Sequence, residues 1–456
     1  MTEATLLPFD LPAVHRKKLT VDFDGGNQSS DAGLLLLRQA ERKVGICRRL
    51  AEVMPDRRDQ SRVRHEMFEL VAARAFAISC GYKDGNDLNR LRHDPLLKIA
   101  IGRCPESGSP LASQSTISRL ENAPRKVDAA RLAGALVDQF CLCVRPRRQE
   151  ILDIDDTFCA AHGGQQLAFW NAHENERGFS PMHIYHVASG TPVVAILRAA
   201  RTPGGAEVRT VVKHVTRRIR THWPKTRLVW RGDSHYGREE AMQWLESNDG
   251  DYIFAFPGNK VLAALVSQTA DYLRIAHAFG SKDKLRRYTS VEYRAGSWSR
   301  PRRVIARIEV SLQPDPNEPG YMRHEVDIRY VVTSLAGDPR RLYECVYCKR
   351  GQMENLIKLH KAQLASDRTS CHSATANQVR LVLHTAAFWL MHAVRRAVPQ
   401  SHLFANAEFA SLRERLFKIG ARVIEHIARI RVHLPTSCPE RALFRLVALN
   451  LMPAVP

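Results

Sequence analysis

The stretch Tyr347-Cys-Lys-Arg-Gly-Gln-Met-Glu-Asn-Leu-Ile-Lys-Leu-His-Lys361 decides how the chain is read. As a helix advancing about 100° per residue, it brings Tyr347, Arg350, Glu354 and Lys361 onto one stripe. Met353, Leu356, Ile357 and Leu364 fall on the adjoining side and suit a core. A carboxylate between cations is the chemistry of a site that holds a metal ion beside a phosphate backbone. It is also the pattern of a surface helix with an Arg–Glu pair one turn apart.

Two further stretches carry acids in telling places. In Glu150-Ile-Leu-Asp-Ile-Asp-Asp-Thr-Phe158, strand alternation puts Ile151, Asp153 and Asp155 on one face and Leu152 and Ile154 on the other. Carboxylates on a strand that otherwise reads as buried are costly unless neutralised, and a divalent cation is the simplest means. In Arg227-Leu-Val-Trp-Arg-Gly-Asp-Ser-His-Tyr236, an apolar strand ends in Gly232-Asp233. An acid just past the C-terminal end of such a strand is well placed for a ligand site, although Gly-Asp-Ser alone is also an ordinary turn.

Together the three stretches resemble the DDE transposases of bacterial insertion sequences, endonucleases of DNA transposition and recombination with an RNase H-like core. The spacing Tyr-x2-Arg-x3-Glu-x6-Lys is similar to the Tyr-Arg-Glu-Lys signature of one branch. Within that branch the chain most resembles the insertion-sequence family numbered thirteen-eighty. The resemblance runs from about Leu152 to Lys361. It implies that Asp155, Asp233 and Glu354 are catalytic and bind two Mg²⁺ ions (Mn²⁺ can substitute) about 4 Å apart. The family's Asp-x-Asp-x-Thr pattern maps to Asp155 and Thr157. Asp153 is the alternate, and Asp156 departs from the small residue usual before Thr. The resemblance also implies that Tyr347, Arg350 and Lys361 meet DNA, and that a homodimer pairs the two terminal inverted repeats and joins them to target DNA. The alternatives are a catalytically silent DNA-binding derivative and a stand-alone RNase H-like nuclease.

Composition agrees with a polyanionic partner. Across 456 residues, 68 Lys+Arg face 47 Asp+Glu, a net charge of +21. There is no signal-like segment and no long apolar run, so we expect a cytoplasmic, nucleoid-associated protein and no membrane partner. Ten cysteines in such a chain read as free thiols. Cys345, Cys348 and Cys371-His372 lack the second pair that a zinc finger needs.

The expected fold is α/β, an RNase H-like mixed sheet flanked by helices. Residues 1–145 read as a helical DNA-binding region, with a helix starting near Ser113 that suits either a helix-turn-helix or a plain bundle. Residues 146–256 read as the first part of the core, 257–325 as a β-rich insertion, and 326–370 as the second part with the signature helix. Residues 371–456 read as a basic helical region, including helices at Phe404–Phe417 and Ala421–Arg431. Its Arg413, Arg415, Lys418, Arg422, Arg429 and Arg431 suit DNA, a partner subunit or solvent. No coiled-coil heptad run stands out. Trp298, among Arg294, Arg300, Arg302 and Arg303, suits stacking on an unpaired base, or packing on its own hairpin.

Overall fold

The computed structural model describes residues 12–315 and 321–452. The chain forms two compact units, Pro124–Thr385 and Met1–Ala123 with Ala386–Pro456.

The unit Pro124–Thr385 is built on one eight-stranded sheet. Its elements are α1 (Lys126–Cys143), β1 (Gln149–Asp156), β2 (Met182–His186), β3 (Thr191–Ile196), α2 (Gly205–His222), β4 (Arg227–Gly232), α3 (Glu239–Glu246) and β5 (Asp251–Phe256). There follow α4 (Lys260–Ala278), β6 (Lys284–Tyr293), β7 (Arg302–Pro314), β8 (Met322–Thr333) and α5 (Gly351–Lys358). Strand order is β6-β7-β8-β5-β4-β1-β2-β3. β1, β4 and β5 run parallel, while β2 and β3 return antiparallel. The order β3-β2-β1-β4-β5 is that of the RNase H-like fold.

The sequence explains the pairing. Antiparallel β2 and β3 need only a short turn at Ser189-Gly190, whereas parallel β4 and β5 need the crossover helices α2 and α3. β1, β4 and β5 are central, and their apolar residues are buried on both faces, as the continuous run Leu228-Val229-Trp230 requires. On one face Val229, Ile253, Ile305 and Val331 pack under Leu335, Leu342 and Tyr343, which lead into the signature helix.

The insertion is not purely β. Between β5 and β6 the chain forms α4, a helix that the β-rich reading leaves out. β6, β7 and β8 then extend the same sheet, since Tyr330–Thr333 of β8 pairs with β5.

The other unit is mostly helical. Gly45, with φ of +67°, ends the helix Leu34–Val44 and precedes the helix Ile46–Val53. Pro95–Ile101 and Gln114–Asn122 are helices, but the chain between them is longer than the tight turn of a helix-turn-helix. No strand forms at Leu19–Phe23. The expected helix at Ala421–Arg431 is instead a hairpin, Ala421–Glu425 with Ile430–His433, completed by Gln28–Ser29. Two cations expected to face DNA or a partner are internal ties. Lys418 pairs with buried Asp31 at 2.6 Å, and Arg413 donates to the Ser79 carbonyl.

No helix among the described residues is long and apolar enough to cross a membrane.

Candidate active site

Asp155 lies near the end of β1 and Asp233 follows directly on β4. Register pairs Ile154 with Gly232, so the next residues on these parallel neighbours are the two acids. Gly232 keeps this approach close. A Cβ would stand 3.0 Å from Ile154 and 3.2 Å from the Tyr236 ring. Burial, opposed by Arg350 and reinforced by Asp233, raises the Asp155 pKa to about 7.

The environment separates the three acids of β1. Asp153 is fully buried and grips Arg231 through both carboxylate oxygens. Asp156 accepts from the Tyr236 hydroxyl at 2.9 Å and pairs with buried Arg198 at 3.4 Å. Asp155 has one cationic partner, Arg350 at 2.9 Å, and accepts otherwise from the Asp156 backbone. Asp153 and Asp156 are therefore committed to protein partners, and Asp155 is the acid of β1 that stands next to Asp233 and is reached by Arg350.

The signature segment is not one regular helix. Leu342–Tyr347 is π-helical, Cys348–Arg350 is 3-10, α5 is regular and Leu359–Gln363 is π-helical again. These changes of pitch depart from a uniform step of about 100° per residue. Arg350 and Glu354 stay together, with Arg350 spanning Asp155 and, at 3.7 Å, an exposed Glu354. Tyr347 packs its ring against the core cluster, 5.4 Å from Tyr343, while its hydroxyl still meets Arg350. Lys361 donates to the Phe158 carbonyl and reaches Thr157 at 3.5 Å, just past β1 and Asp155. Met353, Leu356, Ile357 and Leu364 are buried as the wheel requires.

One residue that sequence reasoning missed connects these parts. Arg231 sits on β4 two residues before Asp233, opposite Asp153 on β1. Besides Asp153 it donates to the Val346 carbonyl in the π-helical turn before α5. One guanidinium thus ties together the two acid-bearing strands and the entry to the helix of Glu354. The signal was present, because an arginine inside an apolar strand demands a counter-charge and Asp153 has matching parity. Beneath the site His183, opposite Asp155 on β2, is kept neutral, its pKa lowered to about 4 by burial and Lys361.

Among the described residues no three His, Cys, Asp or Glu side chains stand close enough together to cage a metal. Asp155 and Asp233 are neighbours, and Glu354 joins them only through Arg350. Carboxylate oxygens are nonetheless the donors a hard divalent ion takes, and Asp155 has capacity to spare. The base-stacking role of Trp298 is corrected by its burial. The ring is 4% exposed, packs on Phe256 and Tyr293 at 5.0 and 5.6 Å, and lies under Arg302.

The raised pKa of Asp155 has a consequence for stability. The folded chain holds this proton more tightly than the unfolded chain, where the usual value is 3.8. Stability from this group is thus present at low pH and lost as pH rises towards 7. In chelator, Asp155→Asn should be more stable than the parent at pH 8 by about 1–3 kcal/mol, with the gap closing near pH 4. Urea midpoints at the two pH values check this, and a constant gap would refute it.

Among curated proteins none matches the chain. A solved structure of the piggyBac transposase synaptic complex with hairpin DNA is similar over 93% of this chain and 85% of that one, at 12% identity and a TM-score of 0.38. Residues 11–456 match the family described as Transposase DDE domain group 1, and the chain belongs to that family.

Proposed function

We propose that this chain cuts DNA at the ends of an insertion sequence and joins those ends to target DNA. The reading is supported above all by one juxtaposition. Asp155 and Asp233 end adjacent parallel strands, and Arg350 links Asp155 to Glu354, in a chain of the DDE transposase family. Asp155, Asp233 and Glu354 are the proposed catalytic and metal-binding residues. Divalent ions held there, Mg²⁺ by preference and Mn²⁺ in its place, would supply charge stabilisation to the attacking and leaving oxygens.

The chain's own residues do the rest. The acids orient the reacting end between β1 and β4. Arg350 and Lys361 offer positive charge to phosphates beside the cut, and Tyr347 offers a hydroxyl to the backbone. The net charge of +21 supplies affinity for duplex DNA generally. Residues 1–145 and 371–456 are proposed to hold the terminal repeats. Two ends must be processed together, which favours a homodimer on DNA in the cytoplasm, at the nucleoid. The signature spacing supports placement in the Tyr-Arg-Glu-Lys branch, nearest the family numbered thirteen-eighty.

The test uses the purified full chain, duplexes ending in the inverted repeats that flank its gene, a target plasmid and Mg²⁺. End-specific cutting followed by joining is expected. Cutting without end preference or joining would identify a nuclease, and binding without cutting a silent derivative. Either result overturns the proposal.

A further inference from the structure

Helix α4 has two apolar faces. Leu262, Val266, Ala270, Leu273 and His277 are buried against the sheet of the insertion. A separate row, Val261, Leu265, Tyr272, Ile275 and Phe279, is more than half exposed at every position, and Phe279 reaches 91%. With Gln268 these residues step along the helix by four and three alternately. That is the spacing of a coiled-coil seam. Single exposed apolar residues are ordinary on a protein surface, but a contiguous row at seam spacing marks an interaction site.

The sheet beside the buried face of α4 carries exposed apolar residues of its own. The ring of His324 on β8 meets His277 of α4, with their Nδ1 atoms 2.7 Å apart. Leu312 is the cross-strand partner of His324, and Met322 lies two residues before it, so all three share one face. Leu312 is 43% and Met322 56% exposed. The row's own side chains carry no charge, and the Arg287 guanidinium lies 5.5 Å from the Tyr272 ring centroid.

We infer that this face of α4 is the surface through which two copies of the chain associate. A two-fold interface uses the same patch on both partners, and a seam of aliphatic and aromatic residues complements itself without a specific charge pattern. The exposed side chains offer on the order of 600 Å² per copy. A self-paired interface would therefore bury about 1,200 Å², within the range of specific association. The inference rests on the transposase reading for its purpose, since two ends need two copies, but its geometry is independent of that reading.

Light scattering and sedimentation on the DNA-free full chain, in moderate salt, test it. The parent should sediment at twice 51.5 kDa. Leu265→Glu/Ile275→Glu should weaken association at least about 100-fold, with an unchanged circular dichroism spectrum. The milder pair Leu265→Gln/Ile275→Gln should shift it in the same direction. Asp271→Lys, on the polar face, should leave it alone. A monomeric parent, or a Glu pair that associates like the parent, overturns the surface. If DNA cleavage proves absent while the Glu pair still separates the copies, the functional proposal falls and this surface stands. If cleavage is present and the Glu pair changes nothing, the reverse holds.

Discussion

Asp233→Asn or Glu354→Gln should lower single-turnover cleavage at the element ends by at least about 10³-fold, because loss of a metal-binding carboxylate removes several kcal/mol of transition-state stabilisation. DNA affinity should hardly change, since binding comes from the basic excess of the whole chain. The two substitutions test different things. Asp233 sits on a strand end beside Asp155, so its position is fixed by the sheet. Glu354 is exposed and held by Arg350 alone, so its role requires the helix to present it to the same phosphate. Cleavage by Glu354→Gln at near the parent rate would remove Glu354 from the site while leaving the pair of aspartates. Retained cleavage by Asp233→Asn would sink the whole assignment. At the neighbouring position, Asp156→Asn keeps an acceptor for Tyr236 and should cost far less.

The second large effect concerns Arg231. Arg231→Met leaves Asp153 as a buried, unpaired carboxylate and takes the donor from the Val346 carbonyl. Breaking one side of a buried ion pair costs about 3–5 kcal/mol. Asp153→Leu/Arg231→Met removes both charges and should recover a good part of that loss. The double variant should still cleave poorly, because the turn that leads into α5 is no longer pinned to β4. Urea midpoints measure the first claim. Faster hydrogen exchange across 343–350, in the double variant relative to the parent, measures the second. If the double variant is no more stable than the single one, the pair does not act as described. If it cleaves normally, Arg231 supports the fold without positioning Glu354.

Much of this was legible in the sequence. β1 and β4 announced themselves because apolar runs ended in acids, and both ends proved to be neighbours. The helices Lys126–Cys143 and Gly205–His222 carry apolar residues at helical spacing. What escaped depended on distant partners or on mixed local signals. Val423, Ile427 and Ile430 are spaced as on a helix, yet Ile427 lies fully exposed in a turn between strands. The partner of the first strand, Gln28–Ser29, is nearly the whole chain away, so no local pattern could reveal it. Helix α4 was hidden by having apolar residues on two faces, which blurs the period of either. Along 347–361, Tyr347, Arg350 and Glu354 stay together and Lys361 lies beside Thr157, but the π-helical turns on either side of α5 carry no marker residue. Trp298 stood among arginines in the sequence, and one of them, Arg302, packs over its ring inside the protein.

The strand β8 also acts as a ruler. Only Tyr330–Thr333 is bonded to β5, so Met322–Arg329 projects beyond the central strands with β7 as its other support. At about 3.3 Å per residue that arm is roughly 25 Å long. The far end of α4 lies along this arm, where His277 meets His324. Lengthening both β7 and β8 by two residues would move the far end outward by about 7 Å with every side chain still on its own face. Lengthening them by one would turn the buried row of the arm to solvent. Natural variation in this arm should therefore come in even steps.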